Sequence, residues 1–174
     1  MIDAVIPVWK PIDWTSFDVV KKIRGQIKPA KVGHAGTLDP FAEGVLMLCV
    51  GKYTKKVESF MDKEKEYIAE IQLGVETDTL DPTGKIVETS NIPYLTEDII
   101  KGVLNKFTGE IEQIPPMYSA LKVNGQPLYK SARKGINIDR KMRTINIYEI
   151  VLINFTHDTI SLKVTCGRGT YIRS

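Results

Sequence analysis

Asp39 is the residue of this chain best placed to do chemistry. It stands in KVGHAGTLDPFAEGVL, Lys31 to Leu46, five residues after His34 and directly before Pro40. Gly33, Gly36 and Gly44 bracket it and permit backbone shapes that other residues resist. Pro40 removes a backbone donor and pushes Asp39 out of the helical region. A loop so punctuated holds an acid in one pose, and a posed carboxylate can serve as a nucleophile or a general base. The same pattern fits a plain turn, because Asp bonds its own backbone and proline presets the next dihedral. His34 alone reads equally as a polar surface residue. Spacing leaves both readings open.

The elements that must position this loop follow from periodicity. Residues 4–10 read as a short strand, and Ser16 as the cap of a helix to about Ile27. Phe17, Val20, Ile23 and Ile27 form its apolar face, and Pro29 ends it. Val45 to Val50 is an apolar run with the character of a buried strand. Lys52 to Met61 reads as helical, and Tyr67 to Leu73 as a strand stopped by Gly74. Asp81-Pro82-Thr83-Gly84 is a turn signal from which Lys85 to Thr89 returns as a strand. Thr96 caps a helix through Phe107 with Ile99, Ile100, Val103, Leu104 and Phe107 as its stripe. Short extended pieces follow Gly109, then an irregular basic segment from Gly125 to Arg143. Asn146–Phe155 and Thr159–Cys166 read as a hairpin through His157 and Asp158. The sum is α+β, a mostly antiparallel mixed sheet flanked by helices.

Composition narrows the function classes. The 174 residues, 43% hydrophobic and 26% charged, suit one ordinary globular domain. No apolar run approaches a bilayer span and no leader pattern opens the chain, so a cytoplasmic protein away from membranes is expected. Cys49 and Cys166 lack CxxC or histidine spacing and read as buried thiols, with no metal site. Charge is unevenly spread. Residues 58–112 hold 13 acids against 5 Lys and Arg. Lys122, Lys130, Arg133, Lys134, Arg140, Lys141 and Arg143 face only Asp139 in their segment. A second basic group is Lys21, Lys22, Arg24, Lys28 and Lys31, joined by Lys52, Lys55 and Lys56 beyond the acid loop. Such clusters interleaved with tyrosine suit either a solvated face or a nucleic-acid footprint.

GHAGTLDPFAEGVL resembles the catalytic signature of the TruB family of pseudouridine synthases, which isomerise a uridine in the T loop of transfer RNA. Further blocks occur in family order. Lys10-Pro11 with Thr15-Ser16 is similar to KPxGxTS. Glu64 to Tyr67, Leu73-Gly74 and Thr77 to Asp81 are similar to KxYxxxxxLGxxTDTxD. Gln113 to Lys122 is similar to QxPPxYSALK, and Cys166 to Arg173 to CxxGTYIR. Asp13 departs from the pattern, standing where the family usually has glycine. Family members also continue past the YIRS element, so the resemblance implies a catalytic domain, residues 1–174, incomplete at its C-terminus and without the small RNA-binding domain that usually follows.

The resemblance implies the pseudouridine-synthase fold and a nucleophilic role for Asp39. Attack on ribose C1′ is the family's favoured route, and attack on base C6 stays open. Arg173 matches the arginine that pairs with the catalytic aspartate, Tyr67 the tyrosine that stacks on the target base, and Tyr171 a second substrate contact. His34 matches the histidine that fills the space left by a flipped base. The segment 115–143 matches an insertion that closes over the T arm, so Lys122, Lys130, Arg133, Lys134 and Arg143 would meet phosphates. The partner implied is the T-arm stem-loop of transfer RNA, with no obligate protein partner and a monomeric enzyme. No phosphate-binding GxxxxGK[ST] or metal-ligand pattern occurs, and the isomerisation needs no cofactor. Two other functions fit the residues: a T-arm-binding fragment without turnover, and a glycosidic hydrolase using Glu43 or Asp78 as its second acid.

Overall fold

Ala4–Lys10 alternates strictly enough to form a strand, β1, which lies antiparallel to Gly44–Val50, here numbered β3, in an unbroken register from Ala4↔Val50 to Lys10↔Gly44. The other edge of β3 takes the three-residue β2, Val32–His34, pairing His34 with Leu48. Strand β3 is apolar along its length, and its later half is covered. Accordingly Leu46 is nearly buried, and Leu48, Cys49 and Val50 are fully so. These elements belong to the first of two units, Met1–Lys63 and Glu64–Ser174. The computed structural model describes residues 2–27 and 31–174. Lys28 of the basic group and the helix-ending Pro29 therefore lie outside the described residues.

Helix α1, Ser16–Gln26, packs Val19 and Val20 against Leu46 and Leu48. Its cap is Thr15, not Ser16. Thr15 is extended, its hydroxyl accepts the Asp18 N–H at 3.1 Å, and the Asp18 carboxylate accepts the Thr15 N–H at 2.9 Å. This reciprocal pair satisfies two otherwise orphan donors. The expected face differs in part: Val20 is buried, but Phe17 points outward with 66% exposure and Val19 is inside. A 3₁₀ turn, Gly51–Lys56, leads into α2, Val57–Met61, close to the helical stretch expected there.

The second unit is built on a four-stranded sheet. Its order is β4 (Lys65–Gln72), β11 (Thr159–Cys166), β10 (Arg143–Phe155), β7 (Gly109–Gln113). All strand pairs among the described residues are antiparallel. Ile145, Ile147, Leu162, Val164 and Cys166 form its core, joined by Tyr67, Leu104, Ile111 and Ile172. The α+β expectation is met, with its strands shared among separate sheets. The long hairpin through His157 and Asp158 is present, but β10 starts at Arg143 because Arg143 to Ile147 ladder onto Gln113 to Gly109.

Thr96 caps α3, Glu97–Leu104, through the Ile99 N–H, and a 3₁₀ turn continues to Phe107. Its expected stripe divides: Ile100 is buried, whereas Ile99, Val103 and Phe107 are each about half exposed. The hairpin β5 (Val75–Thr77) and β6 (Ile86–Thr89) flanks the expected turn. The basic segment is not irregular throughout. Lys122–Val123 and Gln126–Pro127, β8 and β9, pair across Asn124 and Gly125, and α4 follows at Leu128–Ala132. Asn124 and Gly125 both have positive φ, the combination a tight hairpin turn needs. No described helix is long and apolar enough to cross a membrane.

Removing the reciprocal cap tests the reading of α1. Thr15→Ala is expected to lower stability by about 1 kcal/mol. Phe17→Ala, on the exposed face, is expected to stay within about 0.5 kcal/mol of the unsubstituted protein, both read by urea denaturation.

Candidate active site

The acid loop is an excursion from the β2–β3 pair. Ala35 still donates to the Met47 carbonyl at 2.9 Å, and the chain then leaves the sheet at Gly36, whose φ of 117° favours glycine. It rejoins at Gly44, the register partner of Lys10. Between these points three residues of other elements hold the loop. The Ser16 hydroxyl accepts the Leu38 N–H at 3.0 Å and lies 3.2 Å from the Leu38 carbonyl. Asp13 donates its N–H to the Pro40 carbonyl at 2.8 Å. Ser16, freed from capping by Thr15, thus ties α1 to the residue before Asp39.

Lys10 is the third. Its side chain is fully buried, and its ammonium donates to the carbonyls of Pro11 at 2.8 Å, Trp14 at 2.7 Å and Pro40 at 3.4 Å. Burial pulls its pKa below the ordinary lysine value, while the charges of Asp13, Asp39 and Glu43 push back. Asp39 itself is half-buried, and its carbonyl accepts the Ala42 N–H at 3.1 Å. Asp13 has a φ of 65°, the left-handed shape in which a glycine is easiest. The departure from the family pattern therefore keeps the backbone form, since aspartate tolerates that region better than most residues.

His34 is in β2, not in the loop proper, and half-buried. Its Nδ1 lies against the Gly36 carbonyl. A carbonyl can only accept, so this contact needs the proton on Nδ1. Glu43, a nominee for a second acid, is exposed and accepts from the Trp9 indole at 3.4 Å. The other nominee, Asp78, caps a turn through the Lys85 N–H at 2.8 Å.

Tyr67, Tyr171 and Arg173 belong to the second unit. Tyr67 is in β4 opposite Val164 and packs on the core. Tyr171 and Arg173 lie in the turns after β11. The Arg173 guanidinium is nearly buried beside an equally buried Asp81, with Nη1 3.4 Å from Oδ2. Nη1 also donates to the Thr79 carbonyl at 3.3 Å and Nη2 to the Tyr118 carbonyl at 2.7 Å. Asp81 is fixed in turn: its Oδ1 accepts from the Thr79 hydroxyl at 2.8 Å and the Thr83 N–H at 2.9 Å. Gly84 completes the turn, because a Cβ there would collide with the Thr79 hydroxyl. Sequence reasoning treats Asp81 only as part of a turn. The signal for more is the density of Thr77, Thr79 and Thr83 around one acid.

The five basic residues expected at phosphates, Lys122, Lys130, Arg133, Lys134 and Arg143, are all exposed. Arg133 stands over the Tyr129 ring at 5.5 Å. Arg140 differs, donating to the Pro115 carbonyl at 3.1 Å and so anchoring its segment. Cys49 and Cys166 are buried free thiols, and burial pushes both above the usual thiol range.

Residues 22–172 match the family described as TruB family pseudouridylate synthase, N-terminal domain. The chain is 52% identical over 173 residues to the tRNA pseudouridine synthase B of Clostridium kluyveri, covering 99% of this chain and 60% of that protein. It is 48% identical to the tRNA pseudouridine synthase B of Francisella tularensis subsp. tularensis, covering 99% and 58%. The chain thus spans about 60% of the length of the curated relatives it matches. Among solved structures, a chain of a Cbf5–Nop10–Gar1 complex aligns with a TM-score of 0.70 and 31% identity, over 98% of this chain and 41% of that one. A chain of an H/ACA RNP bound to a substrate RNA containing 2′-deoxyuridine aligns at 0.67 and 28%, over 98% and 39%.

Asp81→Asn tests the second cluster. The amide keeps an acceptor for Thr83 but loses the charge beside Arg173. Denaturation is expected to show a loss of roughly 1.5–3 kcal/mol, the range for a hydrogen bond to a charged group.

Proposed function

The chain belongs to the TruB family of pseudouridylate synthases, and from that membership we propose that it converts uridine-55 in the T loop of transfer RNA to pseudouridine. The observation that carries this reading is the acid loop, where Lys10, Asp13 and Ser16 converge on the residues either side of Asp39. A carboxylate that must meet one atom of a nucleotide gains most from such prior fixing.

In this reading the N1–C1′ bond opens, the uracil turns, and C5 bonds to C1′. The C5 proton leaves and N1 gains one, so nothing is oxidised or transferred. Asp39, ionised, is the nucleophile that holds the substrate while the bond is open. Arg173, held by Asp81, is the cation assigned to that carboxylate's role. Tyr67 stacks on the base and Tyr171 adds a second substrate contact. The uridine is flipped out of its loop, and the flat ring of His34, steadied by Gly36, takes up stacking in its place. The residues 115–143 close on the T arm, with Lys122, Lys130, Arg133, Lys134 and Arg143 on its phosphates. A chain that binds the T arm without turnover is the competing reading, and the exposed Lys122, Lys130, Arg133, Lys134 and Arg143 suit it equally.

Tritium release from a T-arm stem-loop labelled at uridine C5 separates these readings. Release by the protein and none by Asp39→Asn is expected; RNA binding without release would establish the competing reading, and free uracil would point to hydrolysis. His34→Ala should lower turnover by at least tenfold with little change in melting temperature. Equal losses of both would make His34 a structural residue. Binding should weaken linearly with the logarithm of salt, and Arg133→Ala should reduce that slope by about one. An unchanged slope would remove Arg133 from the RNA surface.

A further inference from the structure

The ladder of β11 ends at Cys166, with the Gly167 N–H still reaching the Asn146 carbonyl of β10 at 2.8 Å. Residues 167–174 run through turns, and their backbone groups need other partners. Tyr171 finds a partner for each of its backbone groups in one side chain, and its carbonyl also accepts the Ser174 N–H at 3.4 Å. Its N–H donates to Gln113 Oε1 at 2.9 Å, and its carbonyl accepts from Gln113 Nε2 at 2.8 Å. The same Nε2 donates to the Ser174 carbonyl at 2.8 Å. A planar side-chain amide thus stands in for one rung of a β-ladder. Two carbonyls on its nitrogen side and one N–H on its oxygen side admit a single orientation of that amide.

Gln113 is itself well fixed. It is the last residue of β7, opposite Arg143 in the ladder, and Pro115 and Pro116 follow it, both buried. Prolines have a locked φ and no N–H, so the strand ends there and the segment to Tyr118 keeps one course. That segment then meets the 171–174 turn a second time, at Arg173, through the Tyr118 carbonyl. One stretch of chain therefore grips the backbone at Tyr171 and the guanidinium at Arg173.

We propose that Gln113 is a positioning residue for the reaction: its amide holds the Tyr171–Ser174 turn so that Tyr171 and Arg173 meet the substrate in one geometry. This rests on the functional reading above, in which those two residues serve the substrate. A displacement of about 1 Å in such groups can cost roughly a hundredfold in rate. Gln113 needs no contact with the RNA to have this effect.

The test combines two readouts on Gln113→Ala and Gln113→Glu. Glutamate keeps the size but sets a carboxylate against two carbonyl oxygens. Hydrogen exchange followed by NMR should show the amides of Tyr171 to Ser174 exchanging at least tenfold faster in both variants. Amides in the centre of β10 and β11 should be unchanged. Tritium release from the labelled stem-loop should show kcat reduced at least tenfold with KM within twofold. Unchanged exchange at Tyr171 would overturn the hold. Faster exchange with unchanged kcat would overturn its role in the reaction. A general destabilisation would accelerate exchange across β10 and β11 as well, and would make Gln113 a structural residue only. If the unsubstituted protein releases no tritium, the functional reading fails and takes the catalytic half of this inference with it, while exchange still decides the hold.

Discussion

One buried ammonium governs the first unit. Lys10 has no exposed surface, and an unsatisfied charge inside a protein costs several kcal/mol. It must therefore find acceptors, and among the described residues these are the backbone carbonyls of Pro11, Trp14 and Pro40. Two of these lie just after β1 and the third lies 30 residues on, next to Asp39. Satisfying the charge on one strand therefore fixes a loop belonging to another. The neighbouring constraints follow the same direction. Asp13 accepts a left-handed backbone so that its N–H can share the Pro40 carbonyl, and Ser16 gives its hydroxyl to Leu38. Because Thr15 takes over helix capping, that hydroxyl is available. The pose of the acid loop thus depends on polar groups that contribute little else to the fold.

The second unit solves a similar problem with a different cation. The Arg173 guanidinium offers several donors in a plane, which suits a site where a carboxylate and two carbonyls approach from different directions. Asp81 can face it only because three threonines and a glycine fold the turn tightly around the carboxylate. Such a pair is weak evidence for stability, since its desolvation offsets much of its attraction. It is better evidence for geometry. A lysine in place of Arg173 could keep the charge but not the simultaneous contacts with Asp81, Thr79 and Tyr118.

How much of this was legible in the residues depended on range. Strands β1, β3, β4, β10 and β11 follow from local alternation or apolar runs, and Thr96 announces α3 three residues before its partner N–H. The cap of α1 was misplaced by one residue, because Thr15 and Ser16 are chemically alike and only the partner of each distinguishes them. β2 is three residues long and owes its existence to β3, so nothing local marks it. The hairpin at Asn124 and Gly125 was hidden by the basic residues around it. Asp39, His34 and the five basic residues were visible as types in a pattern. The support beneath them was not: Lys10 to Pro40, Gln113 to Tyr171 and Asp81 to Arg173 join residues 30 to 92 positions apart.

Under the proposed function, these long-range ties also account for an isomerisation carried by few reactive groups. When no electron or group is transferred, the barrier is lowered by placement and by electrostatics already in position. Polar groups held by backbone carbonyls suit that purpose, because they need little reorganisation when charge develops at the substrate. Lys10 donates to carbonyls, and Gln113 pairs with main-chain groups. Backbone partners come with the fold and cannot be lost by a side-chain change at their own position, prolines and strained glycines apart. Under the proposed function, the side chains that act on substrate are thereby separated from the groups that aim them. Such a division lets the aiming groups be buried and permanent while Asp39, Tyr67 and Tyr171 stay only partly covered.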